Sequence, residues 1–421
     1  MIQTISLSPG VELSCCRDSR FKQGCLSLQL VRPMAESEAA LNALLPSVLL
    51  RGTLDYPDLR AITHRLDELY GASVSPLVRR VGDYQTTGFY CGFMDDRFAL
   101  PGDRVLEPVV ELLTRLLLDS PLEEDGYLPD FVESEKRNLI STIESELNDK
   151  RAYAMGKLLK TMCRSDSYGI PRLGEKDQVA AITPRSLKAH FDRILSESPI
   201  RLFYVGSAEA HTVAELLKPL LTRLPGGQRT LAPQTGFTDC RGSHETEYMD
   251  IAQGKLCLGY TTPITNRTPD FAAMQIANLI FGGGMTSKLF QNVREKLSLC
   301  YYVGSSYYGS KGIVTVSAGI DFDKEDVTRQ EIAAQLDSLC RGDITEAELT
   351  AAREALLSSL RTTHDSPGAI EGYYSTAALS GLGMTPGEYM AAAEAVTVAD
   401  AAAAARTLRL HSTYFLRGGS Q

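Results

Sequence analysis

Histidine is scarce in this chain. Its six copies are His64, His190, His211, His244, His364 and His411, and no two lie within four positions. Imidazole-based metal sites favour short spacings and a nearby third ligand, so this scatter predicts no resident metal. The nearest approach is His64 with Asp67 and Glu68 on one helical face, and with Arg65 beside them it reads as a solvated charged surface. No apolar run nears the ~18 residues of a membrane span. The opening MIQTISLSPGVEL has neither a basic n-region nor an apolar h-region, so it does not read as a signal peptide. No C-x-x-C occurs, and the nine cysteines are scattered without framework spacing. That usage predicts free thiols in a reducing compartment, hence a cytoplasmic protein. A G-x-S-x-G elbow is missing too. FGGGMTSKLF (Phe281–Phe290) lacks the glycine that a phosphate loop sets directly before its lysine, so it reads as a helix stop followed by a new helix. There is no basic excess: 43 Lys and Arg face 52 Asp and Glu, for a net charge of -9. Nucleic acid needs a basic face, so neither it nor a membrane is an expected partner.

What is present is the composition of a globular protein, with 43% hydrophobic and 23% charged residues. A length of 421 residues exceeds one ordinary core and suggests two or three domains. Two stretches repeat. QGCLSL (Gln23–Leu28) matches QGKLCL (Gln253–Leu258), and both alternate like half-buried strands. From Gly24 to the helix-ending Gly52 is 28 residues, and from Gly254 to Gly282 is also 28. Two agreements at one offset of 230 imply a duplicated unit.

Each copy continues in one order. A helical segment follows (PDLRAITHRLDELYG, then MTSKLFQNVREKL). Two β-rich strands come next: ASVSPLVRR with YQTTGFYCGF, then CYYVGSSYY with GIVTVSAGI. Their short gaps, VGD and GSK, suit hairpins. Helical stretches cover 103–118 and 130–163, then 324–341 and 345–363, and the strands IRLFYVG and STYFLRG close the copies. The expected fold is α+β: two homologous domains, each an antiparallel sheet with helices on one face. Residues 1–224 form the first, 225–244 a Gly- and Pro-rich linker, and 245–421 the second.

The order of strand, apolar helix ending in Arg51-Gly52-Thr53, helix and strand pair resembles the pitrilysin/insulinase family of zinc peptidases, which includes processing-peptidase-like members. FKQGCLSL and LFQNVREK are similar to that family's phrases, and VREKLSLCYYVGSSY (Val293–Tyr307) resembles its C-terminal segment, with Arg294 and Tyr301 at the family spacing of seven. The resemblance spans nearly the whole chain and implies two similar α+β domains.

In active members the helix before Gly-Thr carries H-x-x-E-H, two zinc-binding histidines and a general base. Those positions fall on Ala43, Pro46 and Ser47. A proline inside a helix removes a donor and costs about 3 kcal/mol. The family's third ligand, a Glu, falls on Thr142 in ESEKRNLISTIESEL, and a two-residue slip would place Glu144 there. The edge strand that holds peptide usually carries Asn-Ala after Gly71-Ala72, where this chain has Ser75 and Pro76. Proline weakens strand addition on that half.

The resemblance therefore implies a degenerate, non-catalytic subunit with no cofactor of its own. It implies pairing with an active H-x-x-E-H chain, which carries the zinc and encloses peptide in a shared chamber. Arg294 would then position the substrate and Tyr301 would donate to its oxyanion, in trans. By residue type alone, Arg294 reads as a helix-surface ion pair and Tyr301 as a packed aromatic. The alternative from another class is a structural or peptide-binding scaffold with no part in proteolysis, and a homodimer is open under either reading.

Overall fold

The computed structural model describes residues 2–124, 126–146 and 148–419. The chain forms two compact units, and neither is one continuous stretch. Unit 1 takes the chain up to Glu144, Ile170–Gln234 and His364–Thr376. Unit 2 takes Ser145–Gly169, Thr235–Thr363 and the chain from Ala377 onward.

Unit 1 holds strands β1 (Ile2–Ser8), β2 (Val11–Arg17), β3 (Gln23–Pro33), β4 (Ser73–Val81) and β5 (Tyr84–Met94), the two-residue ribbon of β6 (Leu122–Glu123) and β7 (Gly126–Tyr127), and β8 (Ile200–Gly206). The main sheet runs β1-β2-β8-β3-β5-β4. Its helices are α1 (Glu36–Leu49), α2 (Leu59–Glu68), α3 (Leu106–Leu118) and α4 (Pro129–Glu146). After α5 (Lys150–Met162), which belongs to unit 2, come α6 (Lys176–Ala181), α7 (Pro184–Glu197), α8 (Ala210–Leu216) and α9 (Lys218–Arg223).

Unit 2 holds β9 (His244–Met249), β10 (Gly254–Thr261), β11 (Cys300–Tyr308), β12 (Ile313–Ile320) and β13 (Arg409–Gly418), in the order β11-β12-β10-β13-β9. Its further helices are α10 (Phe271–Phe281), α11 (Glu325–Arg341), α12 (Glu346–Thr362), the end of α13 (Pro367–Ser380), α14 (Pro386–Ala395) and α15 (Val398–Ala405). MTSKLFQNVREKL folds in its second part as a wide π-helix, Leu289–Lys296.

The two sheets share one plan: β4-β5-β3-β8-β2 in unit 1 corresponds to β11-β12-β10-β13-β9 in unit 2. Gly24 is the second paired residue of β3 and Gly254 the first of β10, the pair on which the duplication was read. Neither sheet is wholly antiparallel, since β2 pairs parallel with β8 and β9 with β13. Nor are helices confined to one face. Leu26, Leu28 and Leu30 of β3 enter the main core with Leu44, Leu45 and Val48 of α1. Burial of each such leucine is worth about 1.5–3 kcal/mol. On the other face, Cys25 packs with Ile370 of α13. There the buried Glu371 carboxylate accepts from Ser27 at 2.8 Å, Gln29 at 3.1 Å and Arg79 at 2.8 and 3.0 Å. In unit 2, Ala154 and Leu158 of α5 cover the matching face with Cys257 and Tyr414. β3 is thus buried on both faces, where the sequence read it as half-buried.

The stretch 130–163 is two helices. Asp149 starts the second by accepting from the amides of Arg151 and Ala152 at 3.0 Å each. Leu147, between them, lies outside the described residues.

Candidate functional site

α1 carries Ala43, Pro46 and Ser47, the positions that the resemblance aligns with H-x-x-E-H. It runs unbroken through Pro46. Ala43 is buried at 5% exposure, Pro46 is buried and Ser47 is half-buried. Pro46 has no amide for the carbonyl of Asn42, one turn earlier. That carbonyl instead accepts the hydroxyl of Thr87, on β5, at 2.7 Å. A side chain from the sheet replaces the missing helical bond, and this is why the helix survives its proline.

The side chain of Asn42 heads a buried polar chain. Arg193 Nη2 lies 3.1 Å from His190 Nδ1, and a guanidinium can only donate, so Nδ1 accepts. The neutral ring then carries its proton on Nε2, 2.7 Å from Asn42 Oδ1. Asn42 Nδ2 donates to Gln85 Oε1 at 2.9 Å, and Gln85 Nε2 donates to the carbonyls of Ala39 at 3.0 Å and Arg172 at 2.7 Å. Burial pushes the His190 pKa down to about 4, with Glu38 opposing and Arg193 and Arg32 assisting.

Thr142 is exposed on α4, and its hydroxyl turns back to the carbonyl of Asn138 at 2.9 Å. α4 meets the end of α1 elsewhere, where Arg51 pairs with Glu135 at 3.4 Å and lies over the Phe131 ring. Glu144, the slipped alternative, pairs with Lys176. Ala43 and Pro46 offer no metal donor, and the hydroxyls of Ser47 and Thr142 are poor zinc ligands. These residues do not fit a zinc ion. Among the described residues, no three His, Cys, Asp or Glu side chains gather as a metal cluster. His64 stands 77% exposed, 3.3 Å from Glu68. Ser75 and Pro76 lie on the edge strand β4, paired with Tyr90 and Phe89.

In unit 2 the structure brings Arg294 and Tyr301 together. Tyr301 has no partner on β12: Cys300 pairs with Ile320 and Tyr302 with Gly319, which makes Tyr301 a bulge residue. The residue is 60% exposed. Its carbonyl accepts from Arg294 Nε at 2.9 Å. The Arg294 guanidinium also pairs with Glu295 at 2.9 Å and rests 4.6 Å from the centre of the Phe290 ring. The Tyr301 hydroxyl donates to Asp321 Oδ1 at 3.0 Å, which raises the phenol's pKa.

A cavity of about 630 Å³ opens beside β11, lined by Gly304, Ser306, Thr315, Ser317, Met155 and Phe290 among others. Glycine inside a strand often marks close approach by another backbone. The cavity, Phe290 and Asp321 escaped the sequence reading. The usable signal was the small-residue run GSS between the tyrosines of CYYVGSSYY.

Comparison with known proteins bears on this geometry. Residues 181–356 match the family model described as Peptidase M16 inactive domain. The probable inactive metalloprotease YmfF of Bacillus subtilis is 29% identical over 412 residues, covering 97% of this chain and 96% of its own length. An uncharacterized zinc protease of Rickettsia felis is 27% identical over 48% of this chain and 49% of its own length. Among solved structures, a conserved protein from Enterococcus faecalis superposes with a TM-score of 0.94 at 28% identity, covering 100% of this chain and 99% of its own. A peptidase M16 inactive domain from Pseudomonas fluorescens gives a TM-score of 0.82 at 20% identity, covering 100% and 98%, and so shares the fold.

Proposed function

Because this chain is a non-catalytic homologue of the pitrilysin/insulinase (M16) peptidases, we propose that it is the inactive partner of a chain with an intact H-x-x-E-H motif. Unit 2 would lend Arg294 and Tyr301 to the zinc-bearing site of that partner. One observation carries the reading: a solvent-facing tyrosine on a bulge, held at its carbonyl by Arg294, persists in a chain whose zinc positions hold no ligand. Bulges re-aim side chains beside active sites, and an exposed phenol is placed to donate to a developing oxyanion. Burial raises the thiol pKa of Cys15, Cys25 and Cys91, which supports inert thiols, and the nine free cysteines support a reducing, cytoplasmic setting. No helix among the described residues is long and apolar enough to cross a membrane.

The test is reconstitution. Mixing the chain with its cognate H-x-x-E-H partner should raise peptidase activity. Tyr301→Phe should then lower turnover without weakening assembly. No complex and no gain in activity would overturn the proposal, and unchanged turnover in the variant would leave Tyr301 as packing.

A second reading, a peptide-binding scaffold outside proteolysis, is favoured by the cavity beside the edge strand β11. It expects the isolated chain to hold peptides and to leave them uncut whatever chain is added.

A further inference from the structure

β4 is the outermost strand on one side of the unit 1 sheet. The unpaired backbone of such an edge is a template for another chain. In an antiparallel pair, successive residues turn their amide and carbonyl alternately into the ladder and away from it. The two-residue turn between Val81 and Tyr84 makes that pair an inward one, so Arg80, Val78, Pro76 and Val74 turn outward. Two neighbouring outward positions are out of use. Pro76 has no amide to donate. The Val78 carbonyl already accepts from Arg172 Nη1, at 3.1 Å. An incoming strand needs a donor and an acceptor at each outward residue, and here it loses one of them at each of two consecutive rungs.

Arg172 is exposed, yet the main chain that carries it is fixed. Arg80 Nη1 donates to the carbonyl of Ile170 at 2.9 Å, so β4 and residues 170–172 exchange two arginine–carbonyl bonds. From beneath, Gln85 Nε2 donates to the Arg172 carbonyl at 2.7 Å. Gln85 also accepts from Asn42, which ties this segment to the buried polar chain of α1. Gly174 packs so closely on α1 that a Cβ there would lie 2.6 Å from Ala40 Cβ. We propose that residues 170–172 are a built-in cap which, together with Pro76, closes β4 against addition of an extended peptide. A peptide held on this edge would lie on the half of the chain whose motif positions, Ala43, Pro46 and Ser47, carry no zinc ligand, and would stay uncut. The cap keeps unit 1 from competing for peptide that a partner chain cleaves. That use rests on the proposed pairing. The closure itself does not, and the isolated chain tests it.

The experiment uses the isolated full chain with ¹³C-methyl valine and an N-acetylated, C-amidated heptapeptide of alternating Thr and Val that carries a nitroxide. The nitroxide broadens the methyl signals of Val74 and Val78 when the peptide lies along β4. The wild type should show no broadening at peptide concentrations that broaden both signals in a Pro76→Thr, Arg172→Ala double variant. The single variants should fall between, each restored bond being worth roughly threefold to tenfold in affinity. Circular dichroism checks every variant for folding, and Arg172→Ala alters only an exposed side chain. Equal broadening in the wild type and the double variant overturns the cap. No broadening in the folded double variant overturns it too, because the two changes then open nothing. Self-association of the double variant without broadening means that the edge is closed against a second copy, and overturns peptide as the excluded chain. If the double variant gains the peptide while reconstitution with a partner yields no activity, the pairing falls and the closure stands.

Discussion

The hydroxyl of Thr87 donates to the carbonyl of Asn42 across 2.7 Å, at the one position in α1 that Pro46 deprives of its helical amide. Both groups are buried, with Asn42 at 0% and Thr87 at 1% exposure. An orphaned buried carbonyl costs about 1–3 kcal/mol.

Thr87→Val should therefore destabilise the protein by about 1–3 kcal/mol, read as a lower urea midpoint. In a Pro46→Ala background the restored amide supplies the bond, and the same change should cost under about 1 kcal/mol. A double-mutant cycle with no coupling between positions 46 and 87 would contradict this account of how the helix tolerates its proline.

His190 predicts a pH dependence. Its folded pKa, about 4, lies below its ordinary value of 6.5, because burial disfavours the charged ring. Between these values the unfolded chain binds the proton and the folded chain does not, so stability rises with pH across the window from about 4 to 6.5. The contribution is complete above the window and lost as pH falls through it, up to about 3 kcal/mol. Glu38 carries a lowered pKa against Arg32 and Arg193, despite opposing burial, and adds to the acid limb in the same sense. His190→Gln retains a donor toward Asn42 and should flatten the His190 share alone. The melting temperature of the wild type relative to the variant should therefore fall as pH drops from 7 to 4.

The duplicated strands were legible because they depend on local residue identity. Gly24 lies one residue inside β3 and Gly254 opens β10, so the repeated QG marks the same end of the two strands. The rescue of α1 was not legible, since Thr87 lies 41 positions beyond Pro46 and reaches Asn42 through the sheet. The bulge at Tyr301 was hidden likewise. CYYVGSSYY reads as an ordinary strand, and the register slip appears only against Gly319 and Ile320 of β12. The helices on the second face of each sheet depend on which sheet a distant segment joins. Glu371 meets Ser27 across 344 positions of chain.

Lys311, in the turn between β11 and β12, has a fully buried side chain, with Nζ 3.0 Å from Asp166 Oδ2. It also donates to the carbonyls of Thr235 at 3.4 Å and Gly236 at 3.3 Å. Asp166 in turn accepts from the amides of Tyr168 and Thr238 at 2.8 Å each. Lys311→Met leaves the carboxylate buried without its counter-charge, and should cost about 3–5 kcal/mol in denaturant unfolding. Adding Asp166→Asn removes the stranded charge and should return part of that loss. A double variant as unstable as the sum of the single ones would show that the pair is not coupled.

Asp321 holds the Tyr301 hydroxyl, and this bond to a carboxylate is what raises the phenol's pKa. Lys324, 2.8 Å from Asp321, helps to hold the Asp321 carboxyl below the usual carboxylate range. Asp321→Asn removes the negative charge that opposes loss of the phenol proton. The Tyr301 pKa should then fall toward the ordinary tyrosine value of about 10. Tyrosine ¹³Cζ resonances followed by NMR from pH 8 to 12 would show it, with Tyr301→Phe identifying the signal. An unshifted midpoint would mean that the hydroxyl is not bonded to Asp321 in solution. In a reconstituted complex the same variant separates two uses of the phenol. If the hydroxyl must leave Asp321 to donate to an oxyanion, Asp321→Asn should raise turnover. If Asp321 is needed to aim the ring, turnover should fall while assembly is unchanged.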